Sequence, residues 1–227
     1  MQGAVLLGPE RIEIQELPVP RPGSGEILLS VEAATTCGTD VKVYRLGGHP
    51  RMLRAPTLFG HEMAGRVAAA GAGVTAFASG DSVVIANSAP CLACEPCRMG
   101  RENLCEDLQY LNGAFAEFLL VPKRFVRLST HLIPNGLSFA RAALTEPLGC
   151  VLHGIDTCNL QRYGQVVEIL VFGAGPIGLL FTAALAANGH RVILADPNPG
   201  RLEIGEALGA AETIEIARGG GQADAVR

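Results

Sequence analysis

Residues 169–196 limit what this chain can become more than any other stretch. They read ILVFGAGPIGLLFTAALAANGHRVILAD. An apolar run at 169–172 meets Gly173, Ala174, Gly175, Pro176, Ile177 and Gly178, and an apolar helical pattern follows to about residue 187. Gly189 stops that pattern, a second apolar run covers 191–195, and Asp196 closes the unit. Strand, glycine turn, helix, strand and acid come in the order a dinucleotide site needs. Gly173 allows the tight turn, Gly175 leaves the backbone open to a pyrophosphate, and Gly178 lets the helix pack close to the sheet. The helix N-terminus, at Pro176 and Ile177, offers unpaired N–H groups and a partial positive charge to phosphates. Asp196 can accept hydrogen bonds from both hydroxyls of an adenosine ribose. That acid favours NAD, because it would repel a 2′-phosphate; Arg201 nearby keeps NADP as the lesser alternative. The competing reading is a plain βαβ crossover whose glycines serve only packing.

The chain around this unit has 227 residues, enough for one large or two small domains with a real core. Hydrophobic residues make up 48% and charged residues 18%, which excludes a disordered chain. A net charge of −4 gives no general attraction for nucleic acid or for an anionic membrane. The N-terminus, MQGAVLLGPERIEI, has no basic region followed by a long apolar run, and no apolar run reaches the ~18 residues of a membrane span. The expectation is a cytoplasmic protein, in which seven cysteines serve as ligands and buried thiols rather than disulfides.

Residues 1 to about 130 read as β-rich. Short strands are expected at 5–7, 12–17, 26–33, 65–70, 81–86, 115–121 and 125–128, divided by Gly/Pro turns. Such spacing suggests a small barrel-like or sandwich domain. After Ile133 and Pro134 the period changes, and 139–144 and 148–158 read as helices. Cys150, Cys158 and His153 are expected in packed positions on the second of these. Beyond Asp196 come an expected helix at 201–208, a strand at 213–216 and the start of another helix at 222–227, with Gly219, Gly220 and Gly221 as a short flexible turn. The fold class is thus α+β, then α/β, with domains at 1–149 and 150–227.

Cys91, Cys94 and Cys97, followed by Cys105, have a spacing at which four thiolates close a tetrahedral zinc site within one loop. With no position open to water, that zinc is structural. The loop carries only Arg98 and Arg101 against Glu95, Glu102, Glu106 and Asp107, a balance unsuited to phosphate contact. A second set is dispersed: Cys37, His61, Glu62 and Glu146. One thiolate, one imidazole and one or two carboxylates suit a catalytic zinc with an exchangeable position. Singly these signals are poor, since a lone cysteine is usually a small buried residue. Spacing alone does not assemble them.

Taken together, Cys37-Gly38-Thr39-Asp40, Gly60-His61-Glu62, the four cysteines, Glu146-Pro147-Leu148 and the glycine turn resemble the zinc-containing medium-chain dehydrogenase/reductase family, in the family's order and across essentially the whole chain. The Glu-Pro-Leu form is similar to the polyol and threonine dehydrogenase branch. The resemblance implies a GroES-like β domain followed by an incomplete Rossmann domain. It implies a catalytic zinc bound or attended by Cys37, His61 and Glu146, with Glu62 as an alternate ligand, and hydride transfer from an alcohol or polyol to NAD. It further implies Thr39 in a proton relay, Gly38 allowing a close turn at the metal, and a homo-oligomer, dimer or tetramer, for the full-length form. Asp40 orients a neighbour or braces the loop, with no direct chemical role.

Two departures qualify the resemblance. Many relatives have a histidine two positions after the Asp of this loop; here it is Lys42, a poor neutral relay, and His49 is either its substitute or a surface residue. The family also continues well past the position of Arg227. The expectation for this chain is an open half-sheet with an unpaired edge and an uncovered apolar face, an adenosine half-site, and no formed nicotinamide pocket. Two alternatives remain open: a non-catalytic remnant that keeps zinc as a binding module, and a zinc-independent quinone-type reductase, against which both metal sets argue.

Overall fold

The computed structural model describes residues 1–217. The helix expected at 222–227 and the turn at 219–221 lie outside the described residues. The chain divides into two units, Met1–Glu146 and Pro147–Arg227.

The first unit runs β1 Gln2–Gly8, β2 Arg11–Glu16, β3 Ile27–Thr35, α1 Gly38–Leu46, β4 Gly48–His49, β5 Leu53–Arg54, β6 Thr57–Leu58, β7 Glu62–Ala70, β8 Ser82–Ile85 and β9 Ser88–Ala89. It continues with α2 Glu95–Arg98, β10 Gln109–Tyr110, β11 Phe118–Val121, α3 Lys123–Leu128, β12 Thr130–Leu132 and α4 Phe139–Ala142. A five-stranded antiparallel sheet, in the order β11-β3-β7-β8-β12, forms its centre, and a three-stranded sheet, β2-β1-β6, lies in the same unit. Alternate residues of each strand share one face. On one face Ile27, Leu29, Met63, Val67, Val83, Ile85, Leu119 and Val121 form a single core with Phe125 and Val126. On the other, Ala64 and Val84 pack with Ala142 and Ala143.

Residues 125–128, expected as a strand, belong to the helix α3. Aromatic and β-branched residues make this run look extended. Yet Phe125 and Val126 are consecutive and both enter the same core. A strand would send them to opposite faces, and one helical turn does not. The i→i−4 bond from Val126 N to Pro122 O, at 3.1 Å, closes that turn.

Helix α5, Thr145–Cys158, begins three residues earlier than expected. Its buried residues, Pro147 and Val151, are one helical turn apart. Cys150, Cys158 and His153, expected in packed positions, are instead exposed. Cys150 and His153 lie off the buried stripe, and Cys158 ends the helix.

The second unit is a parallel βαβαβ arrangement: β13 Glu168–Phe172, α6 Pro176–Ala187, β14 Arg191–Asp196, α7 Pro199–Ala207 and β15 Glu212–Glu215. Sheet order is β13-β14-β15. Leu194 and Leu202 pack with Ala174, while Val171 and Leu179 pack against that cluster. Among the described residues β13 pairs only with β14, none of its residues is buried, and Phe172 is 56% exposed.

Phe125 tests the account of the first core. It is 2% exposed and touches the sheet from α3. Phe125→Ala is expected to cost about 3–5 kcal/mol, read as a lower urea midpoint with an unchanged slope.

Candidate functional site

The antiparallel ladder between β3 and β7 assembles the first constellation. Its register carries Ala33↔Ala64, Ala34↔Met63 and Thr35↔Glu62. Residue 37 therefore leaves one strand where residue 61 enters the other, although a helix and three short strands separate them in sequence. Cys37 caps α1, which is held by Val43 packing with Leu6, Leu53 and Phe59. Cys37, His61 and Glu62 each offer one ligand atom, and all three atoms lie within 4.8 Å of one another.

Burial and hydrogen bonding fix these groups. His61 and Glu62 are each 3% exposed. Thr39 N–H donates to Cys37 Sγ at 3.4 Å. Asp40, 5% exposed, uses both oxygens. Oδ1 faces His61 Nδ1 at 3.0 Å, and Oδ2 accepts from Cys37 N–H at 2.9 Å. The acid so fixes the ring with Nδ1 as donor and leaves Nε2 for another partner. The expectation that Asp40 orients a neighbour or braces the loop describes what it does here; it does both. Thr35 Oγ1 donates to Glu62 Oε2, a contact that sequence reasoning missed.

Two carboxylates are near but not equivalent. Glu146, in the first turn of α5, is outside the group that shares 4.8 Å. Burial raises its pKa, the charge of His61 opposes that, and Glu62 and Asp40 raise it further. For His61, burial is the largest influence and works against the charged ring. The hydrogen bond and charge of Asp40, with Cys37 and Glu146, outweigh it and push the pKa up from 6.5 to about 9.

Gly38 begins α1 with no positive φ, and nothing lies within 4 Å of where its Cβ would be. His49 is half-buried and tied to its own loop. Its Nδ1 accepts from Arg51 N–H at 3.2 Å and Met52 N–H at 3.1 Å.

The four cysteines also meet. Cys94 Sγ lies 3.4 Å from Cys97 Sγ and 3.9 Å from Cys105 Sγ. A tetrahedron of sulfurs at the usual zinc–sulfur length of ~2.3 Å has edges of about 3.8 Å, so the spacing fits the ion. Backbone N–H groups of Ala93 and Cys94 bond to Cys91 Sγ and hold its pKa down to about 6. Burial, with hydrogen bonds to neighbouring cysteines, pushes Cys97 up to about 12.

In the second unit the glycine turn has the geometry the sequence asks of it. Gly173 has φ +95°, and its N–H donates to Ala195 O at 2.7 Å. Nothing lies within 4 Å of a Cβ built on Gly175, whereas one on Gly178 would sit 1.8 Å from Gly173 O. Pro176 and Ile177 open α6, whose N-cap, Gly175, has no side chain to occupy the terminal N–H groups. Asp196 is 4% exposed, and its carboxylate accepts Ala174 N–H at 2.7 Å and Asn198 N–H at 2.8 Å. Each oxygen keeps lone-pair capacity for one more donor. Arg201 is exposed in the first turn of α7.

The alcohol dehydrogenase GroES-like domain family matches residues 23–131. Sorbitol dehydrogenase of Bacillus subtilis (strain 168) is 37% identical over 225 residues, covering 95% of this chain and 61% of its own length. D-altritol 5-dehydrogenase of Agrobacterium fabrum is 40% identical over 208 residues, covering 88% of this chain and 59% of its own length. Among solved structures, a proposed zinc-binding dehydrogenase from Sinorhizobium meliloti 1021, bound to NADP, superposes with a TM-score of 0.84 at 32% identity, over 96% of this chain and 63% of that one. The chain spans about three fifths of the length of these curated relatives.

The His61–Asp40 pair gives a pH test. The folded state holds a proton on His61 up to about pH 9 that the unfolded chain releases near 6.5. Its stabilisation is complete below pH 6.5 and is lost as pH rises toward 9. After metal removal by chelation, Tm is expected to fall across that window, and Asp40→Asn is expected to flatten the fall.

Proposed function

Given that the chain belongs to the zinc-containing medium-chain dehydrogenase/reductase family, we propose that it serves hydride transfer from a secondary alcohol or polyol to NAD. The observation that carries this reading is the meeting of Cys37, His61 and Glu62 at the end of the β3–β7 ladder. We assign a catalytic zinc to these three residues, with Glu146 as the further carboxylate, and a structural zinc to Cys91, Cys94, Cys97 and Cys105. When bound, zinc supplies Lewis acidity to the substrate hydroxyl and the nicotinamide supplies a hydride acceptor.

The chain's own residues do the rest. Cys37 brings negative charge to the metal, and Asp40 holds His61 in the tautomer that leaves Nε2 free. Thr39, in the first turn of α1, takes the substrate's hydroxyl proton into a relay. Glu146, whose carboxyl pKa burial holds above its ordinary range, is the second carboxylate beside the site. Gly173, Gly175 and Gly178 shape the pyrophosphate turn at the start of α6. Asp196 receives the ribose hydroxyls and selects NAD over NADP, while Arg201 is an exposed side chain in the first turn of α7. The reading further assigns a cytoplasmic enzyme, a homo-oligomer, acting on small molecules rather than nucleic acid or membrane. No helix among the described residues is long and apolar enough to cross a membrane.

The protein purified from its own cells is expected to carry two zinc ions per chain and to reduce NAD in the presence of a polyol. Cys37→Ser should remove one zinc and slow turnover about a thousandfold, the equivalent of several kcal/mol of lost Lewis-acid assistance. Two zinc ions with no turnover on any alcohol or polyol would sink the dehydrogenase reading and favour a metal-held binding module. Gly178→Ala, whose Cβ meets Gly173 O, is expected to weaken NADH binding about tenfold or more by fluorescence titration while leaving zinc content unchanged.

A further inference from the structure

The β3–β7 ladder ends on the pair Thr35↔Glu62. Residues directly opposite in an antiparallel pair hold their side chains close enough to interact. Here the threonine hydroxyl donates to Glu62 Oε2. Glu62 is 3% exposed, so solvent does not satisfy its carboxylate, and an unpaired buried oxygen would be costly. Threonine is branched at Cβ and therefore stiff at χ1, which makes its hydroxyl a fixed donor rather than a searching one. The carboxylate it holds is the one grouped with Cys37 and His61, whereas Glu146 is outside that group.

We propose that Thr35 is a positioning residue: its hydroxyl pins Glu62 beside Cys37 and His61, so that Glu62 is the carboxylate the metal meets at rest and the grip on the metal depends on a residue that does not touch it. The proposal rests on the metal-site reading above. Without the hydroxyl, Glu62 loses the partner that fixes its rotamer, and the second carboxylate, Glu146, competes for the place. A partner of this kind, one shell out from the metal, typically alters metal affinity about 10–100-fold.

The test compares Thr35→Val, Thr35→Ala and Thr35→Ser in the full chain, loaded with zinc and challenged by a chelator, and separately loaded with cobalt for its absorption spectrum. Valine keeps the shape and strand preference and removes only the donor; serine keeps the donor. The expected result is that valine and alanine release the metal of the Cys37 site about tenfold more readily and change its cobalt spectrum. Serine should behave as the unsubstituted chain, and the four-cysteine metal should be unaffected in all three, which also reports that each variant is folded. Release from Thr35→Val at the original rate, or serine weakened as much as valine, overturns the proposal. Cys37→Ser separates the two levels of the argument. Loss of one metal equivalent upholds the site itself, whereas retention of both equivalents means the metal reading has failed and the Thr35 proposal falls with it.

Discussion

The buried carboxylate of Asp40 is the interaction on which the first site depends. An unpaired acid at that depth would cost several kcal/mol. It is tolerated because each oxygen has one dedicated donor, the Nδ1 of His61 and the backbone N–H of Cys37. Those donors belong to the two chain segments that the β3–β7 ladder brings side by side. Asp40 therefore ties the start of α1 to the start of β7. Removing it would free the ring to rotate and the cysteine to drift, and the buried imidazole would lose the charge that keeps it protonated up to about pH 9. In the proposed metal site a cation held by His61 would replace that proton, and the same acid would serve both conditions.

Charge balance explains the four-cysteine loop in a different way. Sulfurs 3.4–3.9 Å apart cannot all be thiolates without a cation between them. The spread from about 6 at Cys91 to about 12 at Cys97 expresses that conflict. The first proton leaves easily where backbone N–H groups bond to the sulfur, and the last stays where burial and the neighbouring cysteines outweigh the backbone hydrogen bond from Leu92. A divalent ion resolves it by replacing several protons at once. Little apolar content is available in this loop to hold it otherwise, since Leu92, Met99 and Leu104 point outward.

Features that act over short sequence distances were legible. The glycine turn, its helix and Asp196 lie within one βαβ unit, and each glycine has its own local reason. Cys91 to Cys105 could be read from spacing. Cys37, His61, Glu62 and Glu146 could be grouped only through resemblance, because a strand register, not a spacing, joins them. The strands themselves were expected to stop at residues 33 and 65, short of Thr35 and Glu62. Alanine and glutamate at those ends carry a weak strand signal, and the ladder extends through them because its neighbours are already paired. Helix α1 was missed for a similar reason: its first residue is a glycine and its cap is a cysteine, neither a common start signal. The exposed Cys150 and Cys158 show the reverse error, in which residue type suggested burial and helix phase decided otherwise.

The two proposed sites share one device despite lying in different units. In each, a buried aspartate near the end of a secondary element spends its oxygens on fixing a loop rather than on the reaction. Asp40 holds a backbone N–H and a ring nitrogen; Asp196 holds the N–H of Ala174 inside the glycine turn and that of Asn198 at the start of α7. For Asp196 this has a selective consequence. With one lone pair on each oxygen committed to the backbone, the carboxylate cannot turn away to make room for an added phosphate. Its remaining capacity points to donors only, which ribose hydroxyls are and a phosphate is not. On the proposed NAD reading, discrimination between the two dinucleotides would follow from the loop contacts that immobilise the acid as well as from its charge.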